Sequence, residues 1–129
     1  MSVPKFLMLD EVLLIHQDQI SRYGGRPGIR DLNLLKSALA MPQAGFGEEY
    51  FHEDPVEMAA AYLYYIIQNH PFIDGNKRTG LVAALVFLAL HGIEINAAEL
   101  ELENLIWGVA QGKVKKAEVR EFLNSNKVK

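Results

Sequence analysis

The 129-residue chain contains no cysteine. Disulfide bonds, thiolate nucleophiles and Cys-type zinc sites are therefore excluded, as suits a reducing compartment. Basic charge is not in excess either: 13 Lys and Arg stand against 16 Asp and Glu, a formal net charge of −3. A general nucleic-acid binder usually carries a strongly basic face, so no direct sequence-specific DNA binding is expected. Long hydrophobic runs are missing too. The longest uncharged apolar stretch, Gly80 to Leu90, is far short of the ~20 residues that cross a bilayer. The opening residues, MSVPKFLMLDEVLLIHQDQ, carry acidic groups within their apolar part and no small-residue cleavage site, so they do not read as a signal peptide. These absences predict a soluble, cytoplasmic protein with no membrane partner. Common phosphate-loop signatures are also missing. No G-x-x-x-x-G-K-[ST] occurs, and Gly45-Phe46-Gly47 lacks the third glycine of a dinucleotide fingerprint.

What is present is apolar and helical in pattern. A hydrophobic content of 50% is enough for one domain over 1–129 with a core about 7–124. Leu9, Val12, Leu13, Ile20 and Tyr23 fall near one stripe of a helix over 9–23, which GGRPG (24–28) ends. Asp31 can cap a second helix from Leu32 to about Met41, stopped by Pro42. The segment 42–54 reads as a loop or short hairpin. Asp54, Pro55 and Glu57 form a start signal for a third helix, which ends near Asn69 because the residue before Pro71 is pushed out of the α region. A fourth helix, about Asn76 to His91, ends at Gly92. Asn96 is expected to cap a fifth, ending at Gly112, and a sixth spans about Lys116 to Asn124. Helices three and four are apolar nearly all round and should form the heart of an all-α bundle of about six helices.

Between those two helices lies HPFIDGNKRTG, His70 to Gly80. A helix N-terminus carries partial positive charge and normally attracts acidic side chains, yet this one begins with Lys77 and Arg78. Unpaired main-chain N–H groups, a Gly75 that allows close approach and the two cations together make an anion site, with phosphate its natural occupant. Asn76 can add a neutral hydrogen bond. Asp74 is a hard oxygen donor suited to Mg²⁺ bridged to phosphate, or else a cap for the fourth helix. His70 has the side-chain type of a general base, with a reference pKa of about 6.5, although a histidine at a helix end is often structural. Phe72 anchors the loop. His16, His52 and His91 lack ligand-like spacing and read as structural or surface residues. Base, metal ligand and phosphate cradle within nine residues suggest transfer of a phosphorus-containing group to a hydroxyl.

This segment resembles the signature of the Fic/Doc (Fido) family, H-x-F-x-[DE]-G-N-x-R, and SRYGGRPGIRDLNLLKSALAMPQAGFG (21–47) resembles the family's N-terminal region. The resemblance implies an all-α fold with a short flap that positions the target, here Gln43, Ala44, Gly45, Phe46 and Gly47, on to Phe51. It implies that His70 is the base, Phe72 the anchor, Asp74 the Mg²⁺ ligand or catalytic acid, and Gly75, Asn76, Lys77 and Arg78 the phosphate-binding loop. Two departures select a branch. Adenylyltransferases of the family have G-N-G-R-x-x-R, whereas Lys77 and Leu81 stand here at the third position and at the second arginine. Both changes match Doc-type toxins of type II toxin–antitoxin modules. For these the resemblance implies an inverted ATP, with its γ-phosphate passed to a threonine of elongation factor Tu. No [ST]-x-x-x-E-[GN] inhibitory helix occurs in the chain, so inhibition is expected in trans from a cognate antitoxin. A nucleotidylyltransferase and a non-catalytic, antitoxin-binding co-repressor are the competing readings.

Overall fold

A computed structural model describes residues 4–44 and 54–128. Among these, six α-helices succeed one another: α1 (Leu9–Tyr23), α2 (Leu32–Ala40), α3 (Pro55–Asn69), α4 (Asn76–Leu90), α5 (Glu99–Ala110) and α6 (Lys116–Ser125). A 3-10 turn, Met41–Gln43, follows α2. The all-α expectation holds, and extended pairing among the described residues is confined to the isolated bridges Ile29–Phe72 and Ile95–Lys127.

The helix starts follow local chemistry. Asp31 and Asp54 each accept a main-chain N–H of the helix they precede, from Leu34 at 3.0 Å and Val56 at 2.9 Å, as N-cap side chains do. At α1 and α5 the third residue reaches back instead. Glu11 accepts the Met8 N–H at 2.7 Å and Glu101 the Ala98 N–H at 3.0 Å. The latter corrects one expectation: α5 is capped at Ala98, not Asn96. The Asn96 main chain pairs with Asn126 O at 2.9 Å, so tertiary bridging won over the local capping signal.

At the centre is α3, packed along α4 and touched also by α2, α5 and α6. Its Met58, Tyr62, Leu63 and Ile66 are fully buried, as is Phe87 of α4. The all-round burial expected of α4 is reached on one face only. Ala83, Ala84, Phe87 and Leu88 are buried, while Leu81, Val82, Leu85 and Val86 are half-buried. On α1 the expected stripe holds in part: Val12 is buried and Leu9 and Leu13 pack against the core, His16 and Gln19 join them, and Tyr23 is instead 63% exposed. None of the helices described is long and apolar enough to cross a membrane.

Candidate active site

The loop between α3 and α4 lies under a strap made by the α1–α2 connection, residues 24–31. The two segments run antiparallel. Ile73 N–H donates to Gly28 O at 3.1 Å, and the N–H groups of Arg30 and Asp31 converge on Pro71 O at 2.7 and 3.0 Å. Farther along, Arg26 N–H donates to Asp74 Oδ2 at 3.1 Å. The approach is close enough that a Cβ at Gly25, where φ is 118°, would stand 2.8 Å from that oxygen; glycine is required there on both counts.

From below, α1 and α4 fix the same loop. Phe72 is fully buried and stacked on the His16 ring at a centroid distance of 3.8 Å. His16 Nε2 donates to Asp74 O at 2.8 Å, which assigns its proton, since a carbonyl only accepts. Asn76 closes the loop with its side-chain amide, accepting Phe72 N–H at 2.9 Å and donating to Phe72 O at 3.0 Å. The sequence reading gave this amide to a phosphate; in the structure it is buried and engaged with the main chain. Gly75 sits at φ 80° as the N-cap of α4, and a Cβ there would point at Ile20 and His16 rather than into solvent. The left-handed turn, more than room for a ligand, explains this glycine.

The remaining motif residues are presented outward. His70 is exposed, in the left-handed region at φ 50° and ψ 54°, as the C-cap of α3. It leaves the right-handed helix as a pre-proline residue must. Asp74 is exposed, and its carboxyl is held below the usual carboxylate range chiefly by the Arg26 and Gly75 N–H groups, with Lys77 and Arg26 adding favourable charge. It is therefore ionised at neutral pH. Lys77 Nζ rests over the Trp107 ring at 4.6 Å and the Arg78 guanidinium over Tyr23 at 4.4 Å. Among the described residues neither cation is in an ion pair, so aromatic faces hold both without neutralising them.

Two clefts meet at this loop. The larger, of about 490 Å³, runs between α1, the start of α4 and α5, and includes Arg78, Leu81, Glu103 and Trp107. The smaller, of about 200 Å³, contains His70 with Gln68 and Ala110. Asp74, Gly75, Asn76 and Lys77 line both. Main-chain N–H groups at the start of α4 have no intrahelical partner before Thr79 N–H reaches Gly75 O at 2.9 Å. Such a junction suits a polyphosphate. No cluster of three or more His, Asp or Glu side chains capable of caging a metal occurs among the described residues. Mg²⁺ does not need one, because it is commonly held by one or two carboxylates with phosphate oxygens and water. The ionised Asp74 carboxylate, with lone pairs left beyond its two N–H partners, fits that mode.

Several functional neighbours were not singled out in the sequence. Arg30, Tyr23 and Trp107 come from other elements and leave no local signal. His16 did leave one: it lies three and four residues from Leu13, Val12, Gln19 and Ile20, on the helix face that turns inward. Of the expected flap, Gln43 ends the 3-10 turn and Ala44 follows it; Gly45, Phe46, Gly47 and the rest to Phe51 lie outside the described residues.

Comparison with known proteins agrees with this geometry. Residues 6–88 match the model of the Fic/DOC family, a span that holds the strap, the loop and α4 through Leu88. The chain is 35% identical over 114 residues to the "Protein kinase doc" of Escherichia phage P1, covering 88% of this chain and 89% of the relative. It is 37% identical over 81 residues to "Toxin Doc" of Mycolicibacterium smegmatis, covering 63% of this chain and 62% of that protein.

Proposed function

The chain belongs to the Fic/DOC family as a Doc-type member, and from that premise we propose that it is a toxin acting as an ATP-dependent protein kinase. It transfers the γ-phosphate of ATP to a threonine hydroxyl of a translation factor, with elongation factor Tu the expected acceptor, and so arrests translation. A cognate antitoxin restrains it in trans. The names of the two relatives, one a kinase and one a toxin, support the class. The observation that carries the choice of reaction is the wall of the larger cleft, where Lys77 and the apolar Leu81 both stand. A lysine fills the room beside the first phosphates, and leucine offers no charge where a second arginine would grip them.

In this reading each residue has one task. The His70 imidazole takes the proton from the threonine hydroxyl in the smaller cleft. The freed oxygen attacks the γ-phosphorus, the bond from that phosphorus to the β–γ bridging oxygen breaks, and ADP leaves. Asp74 would hold Mg²⁺, which would supply positive charge to screen the phosphates. Lys77, Arg78 and the first N–H groups of α4 orient the polyphosphate and stabilise the charge that spreads over the transferred group. Strap and clasp supply rigidity, and positioning is most of the catalysis in such transfers.

The test uses purified protein, Mg²⁺, elongation factor Tu and a cell lysate, with ATP labelled separately at the α and γ phosphates. Label is expected on protein from γ-labelled ATP alone, and it is expected to vanish in His70→Ala. Label from the α position would make the protein a nucleotidylyltransferase. Growth arrest that survives His70→Ala would place the function outside catalysis. With the kinase reading, Lys77→Gly should move transfer toward AMP.

A further inference from the structure

His70 is held in a conformation that its own chemistry does not favour. A non-glycine residue in the left-handed region is strained and persists only where its surroundings over-determine it. It also sits at the C-terminus of α3, where the last carbonyls lack intrahelical partners and carry partial negative charge. Three consecutive carbonyls, those of Asn69, His70 and Pro71, turn out to share one donor residue. Arg30 Nε–H donates to His70 O at 2.6 Å, and a terminal N–H of the same guanidinium donates to Asn69 O at 2.9 Å. The Arg30 main-chain N–H reaches Pro71 O at 2.7 Å.

We infer that Arg30 is the positioning residue of His70, clamping the left-handed turn that sets the imidazole in the smaller cleft. The inference rests on the reading of His70 as the base. A merely structural role explains the contacts less well. Arg30 is exposed, so it adds little to the core, and α3 is already tied to α2 nearby, through Asn69 Nδ2 and Leu34 O at 2.9 Å. It lines neither cleft, so the nucleotide does not meet it. What its guanidinium grips is the pair of carbonyls on either side of the His70 N–H. A planar fork meets two adjacent carbonyls at once, whereas an ammonium is a single point of charge.

The test compares the full chain with Arg30→Met, which keeps the length and removes the donors, and Arg30→Lys, which keeps the charge without the fork. Phosphate transfer is followed well below each variant's melting temperature. Turnover at saturating ATP should fall about 10- to 100-fold in Arg30→Met, the scale of a misaligned group, and less in Arg30→Lys. The KM for ATP should stay within about 2-fold, because the phosphate cradle is untouched. The one-bond Cα–Hα coupling of His70 in isotopically labelled protein, which is sensitive to the sign of φ, should lose its positive-φ value in step with turnover. Wild-type turnover in Arg30→Met, or an unchanged coupling, would overturn the inference, as would a loss confined to KM. If Arg30→Met does not fold, Arg30→Lys decides on the same readings. Should the wild type transfer AMP instead, turnover is compared for that reaction. Should it transfer nothing, the kinase reading fails and the coupling alone judges Arg30.

Discussion

At the scale of single residues, Thr79 departs from the general economy of buried polar groups. Its Oγ1 is fully buried, and among the described residues no hydrogen-bond partner reaches it. An orphaned hydroxyl in that position costs about 1–3 kcal/mol relative to a satisfied or absent one. Valine is β-branched like threonine and has nearly the same shape, so Thr79→Val exchanges the hydroxyl for a methyl group without a cavity. We expect the variant to be more stable by roughly 1 kcal/mol, read as a higher urea midpoint with an unchanged slope. A lower midpoint would mean that the hydroxyl is bonded in solution. The same scale shows what the sequence could and could not disclose. That His70, Asp74, Lys77 and Arg78 come together around two adjoining clefts was legible because they lie in one segment. Arg30 was not, since 39 to 41 residues separate it from the carbonyls it binds. Asn76 was assigned a ligand because an exposed amide and a buried clasp look alike in sequence.

Between residues and the whole, the elements themselves were the most legible part of the fold. Apolar periodicity, Asp31 and Asp54 as caps, and Pro55 and Gly92 as punctuation gave boundaries close to those observed for α1, α2, α3, α4 and α6. The periodicity did not say which face of α4 would be left to line a cleft, because α3 and α5 decide that by packing. The α3–α4 connection is held as a unit by the Asn76 clasp, and its strength can be measured. Phe72 N–H and C=O are both buried, and among the described residues the Asn76 amide is what satisfies them. Removing that amide strands one donor and one acceptor, each worth about 1–3 kcal/mol when buried and unpaired. Asn76→Ala should therefore lose about 2–4 kcal/mol of unfolding free energy by urea denaturation, and Asn76→Asp, which keeps the acceptor, should lose less. Equal losses in the two variants would show that the donor half of the clasp carries all of its weight.

For the molecule as a whole, Tyr62 ties the segment ahead of α1 to the central helix, and that tie is sensitive to alkali. The ring is fully buried, packed against Phe87 at a centroid distance of 5.2 Å, and its phenol oxygen accepts the Leu7 N–H at 2.8 Å. Burial pushes the phenol up to about 12 from 10.0; the Leu7 hydrogen bond pulls it partly back, and Glu11 adds to the rise. The sign follows from linkage. An acid whose folded pKa lies above its unfolded value binds more proton when folded, so its contribution is fully present below the unfolded pKa and is lost as pH rises through the folded one. The window here runs from 10.0 to about 12, and the total at stake is on the order of 2–3 kcal/mol, with a slope near 1.4 kcal/mol per pH unit inside it. Tyr62→Phe removes the titrating group and leaves the Leu7 N–H without its acceptor. The variant should thus start less stable than wild type by about 1 kcal/mol at pH 9. As pH rises past 10 the wild type loses stability that the variant keeps, so the gap should close and then reverse. Urea denaturation of both proteins at half-unit steps from pH 9 to 11.5 measures this, and curves that stay parallel across the window would show that the buried phenol is not what alkali attacks.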